Sequence, residues 1–390
     1  MSTSTDGWRR SRLDPGGPFL LVGDLHNHST LSDGSGTPQA AYRQMRDAGL
    51  DVAALTDHAS IPRSQREDLG LHQYPDADAL AVARMMPRSF DDAGWRLMGE
   101  LADAFDVPGV FTALRGFEWT EPWLGHINVW FSDGYVDVDT PGSLAGLFAF
   151  LAEQEQKALF GYNHPGREAG RHEAFLLPGD AGDLPVRMVA LEAFNRADDY
   201  LFGMDGHHGR DSALVACLDA GWRPGLIGCS DEHGQRFGLA GRGRTGLWVP
   251  EHSRDGVYEA LSARRTFATR EAGLRLDATL DGERMGSAVT AQGTADLAVD
   301  LAESSYQGRE VELQLMTSAA AVGGQSPEVT VVQTLPALVG EVTRALVEIP
   351  TDAGWLMLRV ADRRRGYGRS APPDHAASSW GIAYASPWWL

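Results

Sequence analysis

The 390-residue chain predicts an α/β fold: a strand-and-helix barrel followed by a small antiparallel β-sandwich. Three observations carry that expectation. A strand–loop–helix–strand unit fills residues 18–58, the building block of parallel α/β folds. Histidines and acids recur at the ends of later apolar runs, where a barrel of parallel strands presents its chemistry. Past Gly273 the histidines nearly vanish, and short alternating runs separated by Gly, Asp and Ser take over. The expected organisation is a flexible N-terminal segment (1–17), a barrel (18–272) and a β-sandwich (273–390).

In chain order, residues 18–25 read as a buried strand that delivers Asp24, His26 and His28 at its C-terminal end. Thr37 then caps a helix over about 38–48, with Pro38 in its first turn and Gly49 as its stop. A second strand, 51–55, ends in Thr56-Asp57-His58. The stretch 61–107 is helix-rich and charged, suited to packing outside the barrel or to covering the site mouth. Strands follow at 110–117, leading to Glu118, and at 127–131, starting from His126. Others are 158–163, leading to His164, 188–194, containing Glu192, and 224–229, leading to Asp231 and His233. Helices over 143–157 and 211–220 lie between them. The C-terminal strands are expected at 274–280, 295–301, 311–316, 329–334, 355–360 and 381–386. No repeat at 20–50 residues is evident.

Charge and composition narrow the function. There are 53 acids against 34 bases, a formal charge of −19, so phosphate backbones are repelled and nucleic acid is not an expected partner. Lys157 is the only lysine, which disfavours Schiff-base chemistry and a carboxylated-lysine metal bridge. Two cysteines, Cys217 and Cys229, are too few for a disulfide framework and suit a reducing compartment. Residues 1–17 lack a basic-then-apolar signal pattern, and no apolar run approaches membrane length. The expectation is a cytoplasmic protein with no membrane partner and a small-molecule substrate; homo-oligomerisation is compatible with the sequence.

The chemistry concentrates in one constellation. His26-Asn27-His28 places two imidazoles on the same side of an extended chain, so both reach one ion. Asp231-Glu232-His233 repeats the spacing with a carboxylate and an imidazole. His58 follows an acid, Asp33 sits in a Ser-Asp-Gly turn, and Glu118 follows an apolar strand. With His126 and His164 these make nine metal-ligand candidates. A thiol-poor, imidazole-rich set suits two or three Zn, Mn or Fe ions rather than a structural zinc. Such a site generates hydroxide at neutral pH and clamps an oxyanion, which is hydrolysis.

These residues fall in an ordered series. Asp24-Leu25-His26-Asn27-His28-Ser29-Thr30, Ser32-Asp33-Gly34 and Ala53-Ala54-Leu55-Thr56-Asp57-His58 resemble the opening of PHP-domain (polymerase and histidinol phosphatase) metallohydrolases. Gly116-Phe117-Glu118-Trp119-Thr120, Gly125-His126-Ile127-Asn128-Val129, Asn163-His164-Pro165 and Cys229-Ser230-Asp231-Glu232-His233-Gly234 continue the likeness. The Glu118 and His126 pieces, with the tail 264–269, resemble the carbaryl-hydrolase-like (CehA/McbA-type) branch. The resemblance implies a distorted seven-stranded β/α barrel with a trinuclear site. It places His26, His28, Glu118 and Asp231 on the first metal. Glu118 bridges to a second held by His126 and His164, and Asp33, His58 and His233 hold a third. Some family members carry His where Asp33 stands, which leaves the third ion's occupancy open. It also implies a metal-bridging hydroxide attacking phosphorus or a carbonyl carbon, with Asp231 or His233 moving the proton. Asp24 and Asp57 would orient ligands rather than bind metal.

Around the site, Arg167 and Arg196 are the leading candidates to hold an anionic substrate, ahead of Arg236, Arg242 and Arg244. Trp119 and Trp123 are candidates for an apolar wall, and Trp130 for the core. His207, His208, His72, His172, His252 and His375 read as loop or surface residues, although His172 could still touch substrate. The expected activity is phosphoesterase, with a carbamate, ester or amide hydrolase as the alternative and a non-catalytic binding module as a weaker one. The amidohydrolase barrel also opens with a His-x-His strand, but its usual carboxylated lysine would have to be Lys157, which the sequence puts at a helix end.

Overall fold

The first strand, β1 (Phe19–Asp24), is apolar almost throughout because it is sealed on both faces, as strands covered by helices are. The computed structural model describes residues 5–62, 65, 70, 77–122, 124–140, 142–155, 158–167, 182–201, 212–324, 328–364 and 380–390. The helix Pro38–Asp47 forms where expected: the Thr37 hydroxyl accepts the Ala40 amide at 3.2 Å, and Gly49 turns the chain out at φ +84°. β2 (Val52–Leu55) then pairs in parallel with β1.

The pairing continues from β2 to β3 (Thr112–Glu121), β4 (Gly125–Trp130), β5 (Leu159–Tyr162), β6 (Met188–Asn195) and β7 (Gly225–Cys229). An isolated bridge between Asn27 and Glu232 brings the end of β7 back to the end of β1. The His28 amide donates to Glu232 O at 3.0 Å and the Asp231 amide to His26 O at 3.0 Å. All these pairings are parallel except β3–β4 and β4–β5. β4 therefore runs against its neighbours, and its start, not its end, lies beside the C-terminal ends of the rest. β3 also runs on past Glu118 to Glu121, so Glu118 sits within a strand rather than at the end of one.

Two further strands were not foreseen. β8 (Arg244–Val249) lies antiparallel on β1, and β9 (Thr266–Thr269) antiparallel on β8. β7 packs closely behind them: a Cβ on Gly228 would lie 2.6 Å from Arg244 O, so only glycine fits. The 61–107 stretch yields helices Ala77–Met85 and Asp92–Phe105. The second buries Trp95, Met98 and Ala102 against the outside of the sheet, so it packs there rather than forming a lid.

The C-terminal strands depart from a free-standing sandwich. Gly381–Ala385 pairs with β9, and Trp355–Ala361, Glu310–Ser318 and Val329–Leu338 continue outward, so one 16-stranded sheet crosses the expected 272/273 boundary. A second antiparallel sheet of four strands includes Leu274–Leu280, Gly293–Glu303 and Val342–Ile349, the last unforeseen. The strand that returns from the chain's end stitches the two regions together, a long-range pairing no local pattern announces.

Arg9 pairs with Asp51 at 2.6 Å, and Arg12 pairs with the fully buried Asp300 at 2.7 Å through its guanidinium and 2.6 Å through its amide. Arg275 also reaches Asp300, at 2.9 Å. Among the described residues no helix is long and apolar enough to cross a membrane. Because Arg275 remains, Arg12→Ala is expected to cost about 1–2 kcal/mol, below the loss typical of a buried carboxylate stripped of every partner. Calorimetric unfolding should show the lower Tm, and an unchanged Tm would mean the N-terminal contact is not made in solution.

Candidate metal centre

Strand periodicity builds the site. β1 delivers His26 and His28 on one face of its extended continuation, both fully buried. The two-residue bridge of His58–Ala59 against Glu118–Trp119 brings His58 beside Glu118. The β3–β4 hairpin faces Thr120 to His126. β5 and β7 end in His164 and Asp231, both in left-handed conformations (φ +29° and +47°), and Arg196 after β6 is a third (φ +55°). Positive φ is uncommon outside glycine, and three cases at one strand-end cluster mark a place where the fold holds side chains against local preference.

Among the described residues, three groups of ligand atoms lie within 4.8 Å of one another: His26, His28 and Glu118; Glu118, His126 and His164; and His28, Asp33, His58 and His233. Glu118 is 1% exposed and common to two of them. Its Oε1 lies 3.2 Å from His26 Nε2, 3.2 Å from His126 Nδ1 and 3.5 Å from His164 Nε2; its Oε2 lies 3.4 Å from His28 Nε2. Asp231 Oδ1 stands 3.5 and 3.4 Å from His26 and His28 Nε2. Asp33 Oδ1 lies 3.4 Å from His58 Nε2 and 3.5 Å from His233 Nε2.

These separations test whether the residues fit metal. Ligands about 2.0–2.1 Å from a tetrahedral ion stand roughly 3.3–3.4 Å apart, whereas charge-assisted hydrogen bonds close to about 2.7–2.9 Å. The contacts among candidate ligand atoms mostly take the longer value. Those to supporting groups take the shorter: His26 Nδ1 to Glu192 at 2.8 Å and His58 Nδ1 to Thr120 at 2.7 Å. His28 Nδ1 is buried with no hydrogen-bond partner, and its Nε2 lies 3.0 Å from His26 Nε2, two imidazole nitrogens turned toward one point among the carboxylates. The donor set fits divalent metal.

Electrostatics agree. Burial opposes charge on His26, but the carboxylates of Glu118, Glu192 and Asp231 outweigh it and raise its pKa well above the usual range. Burial and the neighbouring His58 and His233 push His28 well below it. Charge therefore settles on His26, which lies 2.8 Å from Glu192 and 3.2 Å from Glu118, rather than on His28. Burial also opposes charge on His58, yet Glu118 and Asp33 raise it to about 9. For Glu118 and Asp231 burial would raise the pKa. The imidazoles of His126, His26 and His58 around Glu118, and His26, His28 and Arg167 around Asp231, hold both well below the carboxylate range. Asp33, against burial, is held at about 2 by His58, His28 and His233.

The sequence missed Glu192, Asn163 and Thr120. Glu192 accepts from His26 Nδ1, the His164 amide at 2.8 Å and Asn195 Nδ2 at 2.8 Å; Asn163 Nδ2 donates to Glu118 Oε1 at 2.6 Å. A lone carboxylate inside the apolar run MVALEAFN was the available signal. Asp24 and Asp57 act on backbone more than on imidazoles. Asp24 Oδ1 accepts the Ser230 amide at 3.1 Å, tying β7 to β1, and burial lifts its pKa to about 6. Asp57 accepts from the amides and hydroxyls of Ser29 and Ser32, shaping the loop that carries Asp33.

Arg167 and Arg196 both reach Asp231 Oδ2, at 3.1 and 3.2 Å, and Arg167 is also held by Tyr200 and Asn195. Arg244 is buried beside Asp24 instead, and Arg236 is exposed. Trp119 does not wall the site: it alternates with Glu118 along β3, so its side chain enters the core, 1% exposed. Trp130 is likewise buried, its indole donating to Leu25 O. Cys229 is buried, and burial raises its pKa well above that of a reactive thiol. His252 reaches Asp51 O at 3.2 Å, outside this cluster. Trp123, Lys157, His72, His172, His207, His208 and His375 lie outside the described residues.

No protein-family model matches the chain, and no curated protein matches it. Among solved structures it is similar to a two-domain protein from Bacteroides vulgatus containing a predicted PHP-like metal-dependent phosphoesterase, with TM-score 0.48, 17% identity, and 95% of this chain and 96% of that one covered. It is also similar to a candidate metal-dependent phosphoesterase from Bifidobacterium adolescentis (TM-score 0.34, 15% identity, 61% and 95% covered). A third is an amidohydrolase from Chromobacterium violaceum solved with bound sulfate and no metal (TM-score 0.33, 15% identity, 64% and 97% covered). Overlaps this loose carry no functional argument, so function has to be read from the chain's own residues.

Metal and proton compete for His26 and His58, so divalent metal affinity should rise with pH up to about 9 and fall as the cluster protonates. Titration calorimetry in buffers of different ionisation heat should register proton release on loading at pH 7; no release would contradict the assigned protonation. Glu192→Gln should weaken metal binding about 10- to 100-fold by removing the partner that orients His26, measured by chelator competition.

Proposed function

We propose that the protein is a metal-dependent hydrolase of the PHP superfamily that cleaves a small phosphomonoester or phosphodiester. One observation carries this reading: three ligand groups share or adjoin Glu118, and two arginines converge on Asp231 at their rim. The return of β7 to β1 supports a seven-stranded barrel, β1 to β7, with the ligands at one end. The carbaryl-hydrolase-like branch is supported by the Glu118 and His126 motifs and the tail 264–269.

On this reading His26, His28, Glu118 and Asp231 hold one ion, and Glu118, His126 and His164 a second. Asp33, His58 and His233 hold a third, to which His28 also comes close. Bound Zn, Mn or Fe supplies Lewis-acid charge and makes water acidic enough to serve as a nucleophile near neutral pH. The chain's residues do the rest. Asn163 fixes one oxygen of Glu118, and Glu192 fixes the ring of His26, so the ligands are oriented before anything binds. Arg167 and Arg196, 28% and 42% exposed, present donors that a substrate phosphate would share with Asp231 Oδ2. Asp231, kept ionised, and His233, whose Nδ1 lies 3.3 Å from Asp231 Oδ1, are the groups placed to accept and pass a proton.

Arg167→Ala and Arg196→Ala should each raise KM for an aryl phosphate about tenfold or more while leaving a neutral aryl ester nearly unaffected. Steady-state kinetics on metal-reconstituted protein, across phosphate mono- and diesters, carbamates and esters, provides the check. Turnover confined to uncharged carbamates or esters, with both arginine variants silent, would move the substrate out of the phosphate class.

A further inference from the structure

Arg196 sits in a tight turn. Phe194 pairs with Asp199 and Asn195 with Asp198, so residues 194–199 form a short arm projecting from the end of β6 with Arg196 at its tip. The Arg196 amide donates to Cys229 O at 3.0 Å, and Arg196 O accepts from Gly243 at 2.8 Å. These bonds fix the inner edge of the arm to the strands that carry the ligands.

The outer edge is fixed from elsewhere. Asp199, 6% exposed, accepts through Oδ2 from the hydroxyl of Tyr384 at 2.7 Å, while its Oδ1 accepts the Leu201 amide at 3.1 Å. Tyr384 is fully buried in the strand Gly381–Ala385, almost 200 residues away in sequence, and its ring lies 5.0 Å from that of Phe194. Arg270, between the two regions, donates to Ala197 O at 2.8 Å and also to Gly381 O, with its guanidinium 4.5 Å from the Phe194 ring. Arg359, from the strand Trp355–Ala361, adds a second buried positive charge near Asp199 and bonds Gln314 at 3.0 Å. Tyr200, next along the chain, accepts from Arg167 Nε at 3.0 Å. A single short segment thus carries Arg196 and steadies Arg167, and its side-chain anchors come from Arg270, just after β9, and from Tyr384 in the C-terminal part of the sheet.

We propose that the C-terminal part of the sheet, together with Arg270 after β9, is a positioning element for the site: Tyr384 and Arg270, through Asp199 and Ala197, hold the 194–200 arm so that Arg196 and Arg167 face the substrate's anionic group. This rests on the reading of the two arginines as phosphate-holding residues. Burying a carboxylate, two guanidiniums and a phenol adds little stability over an apolar core of the same volume. It does impose one geometry, because each group has a directional partner. The role of Tyr384 is positional, since it touches neither ligands nor substrate.

Tyr384→Phe keeps the ring and deletes only the hydroxyl; Asp199→Asn removes the charge and turns one of its two acceptor positions into a donor. On full-length, metal-loaded protein, Tyr384→Phe should raise the inhibition constant of inorganic phosphate and the KM of an aryl phosphate about threefold to tenfold. Metal stoichiometry should be unchanged and kcat held within about twofold. In an Arg196→Ala background the same change should add less than about twofold, because the group being positioned is gone. Amide hydrogen exchange across 196–201 should accelerate in both variants relative to the strands. Unchanged exchange together with an unchanged phosphate constant would overturn the proposal, as would loss of metal in step with phosphate binding. If Arg196→Ala itself leaves phosphate inhibition unchanged, the phosphate reading fails, and the exchange rates alone then decide whether the C-terminal sheet holds the arm.

Discussion

Everything at the strand ends depends on a single carboxylate buried among imidazoles. Glu118 is 1% exposed and within 3.5 Å of ring nitrogens from His26, His28, His58, His126 and His164. An ionised carboxylate is tolerable in such a place only if surrounding groups repay its lost hydration. The imidazoles do so in the metal-free chain, and divalent ions do so more effectively, since each carries two charges and needs no proton. The same constraint explains Asp231, whose negative charge is shared among His26, His28, Arg167 and Arg196.

The fold meets that constraint by bringing ends of strands together from far apart in the sequence. The bonds linking His26 and His28 to Asp231 and Glu232 close β7 onto β1, and Asp24 reinforces the seam by accepting the Ser230 amide. The reversed direction of β4 matters equally. Because it runs antiparallel to β3, its first residues pair with Glu121 and Thr120, and His126 reaches Glu118 from a strand's start rather than its end. Left-handed backbones at His164 and Asp231 then turn these two side chains inward, a local cost carried by the rigid sheet behind them.

How much of this could be seen in the residues varied with the range of the interactions involved. The local units formed close to expectation: the Thr37-capped helix, β1, β2 and the strand Leu274–Leu280 all follow from periodicity and capping within a dozen residues. The ligand candidates were legible because His-x-His and Asp-x-His spacings on extended chain have few other uses. What eluded the residues was set at long range. The supporting Glu192 looks like any acid in a strand until its neighbours are known. Trp119 looked available to substrate until the register of β3 put it opposite Glu118. The contacts of Arg9 with Asp51 and of Arg12 with the distant Asp300 are visible only once the chain has folded.

By itself the sequence determined an α/β strand-and-helix architecture, the run of strands with imidazoles and acids near their ends, and the hard, thiol-poor chemistry of the ligand set. Those properties reside in short stretches, where alternation, capping and residue type act directly. Tertiary structure decided which of these residues meet, that Glu118 lies at their centre, that β4 is reversed, and that the C-terminal strands join the same sheet and brace the Arg196 arm. Those outcomes depend on strand order and register, and pairings such as that of Phe19 with Val249, 230 positions apart, leave no periodic trace in either partner.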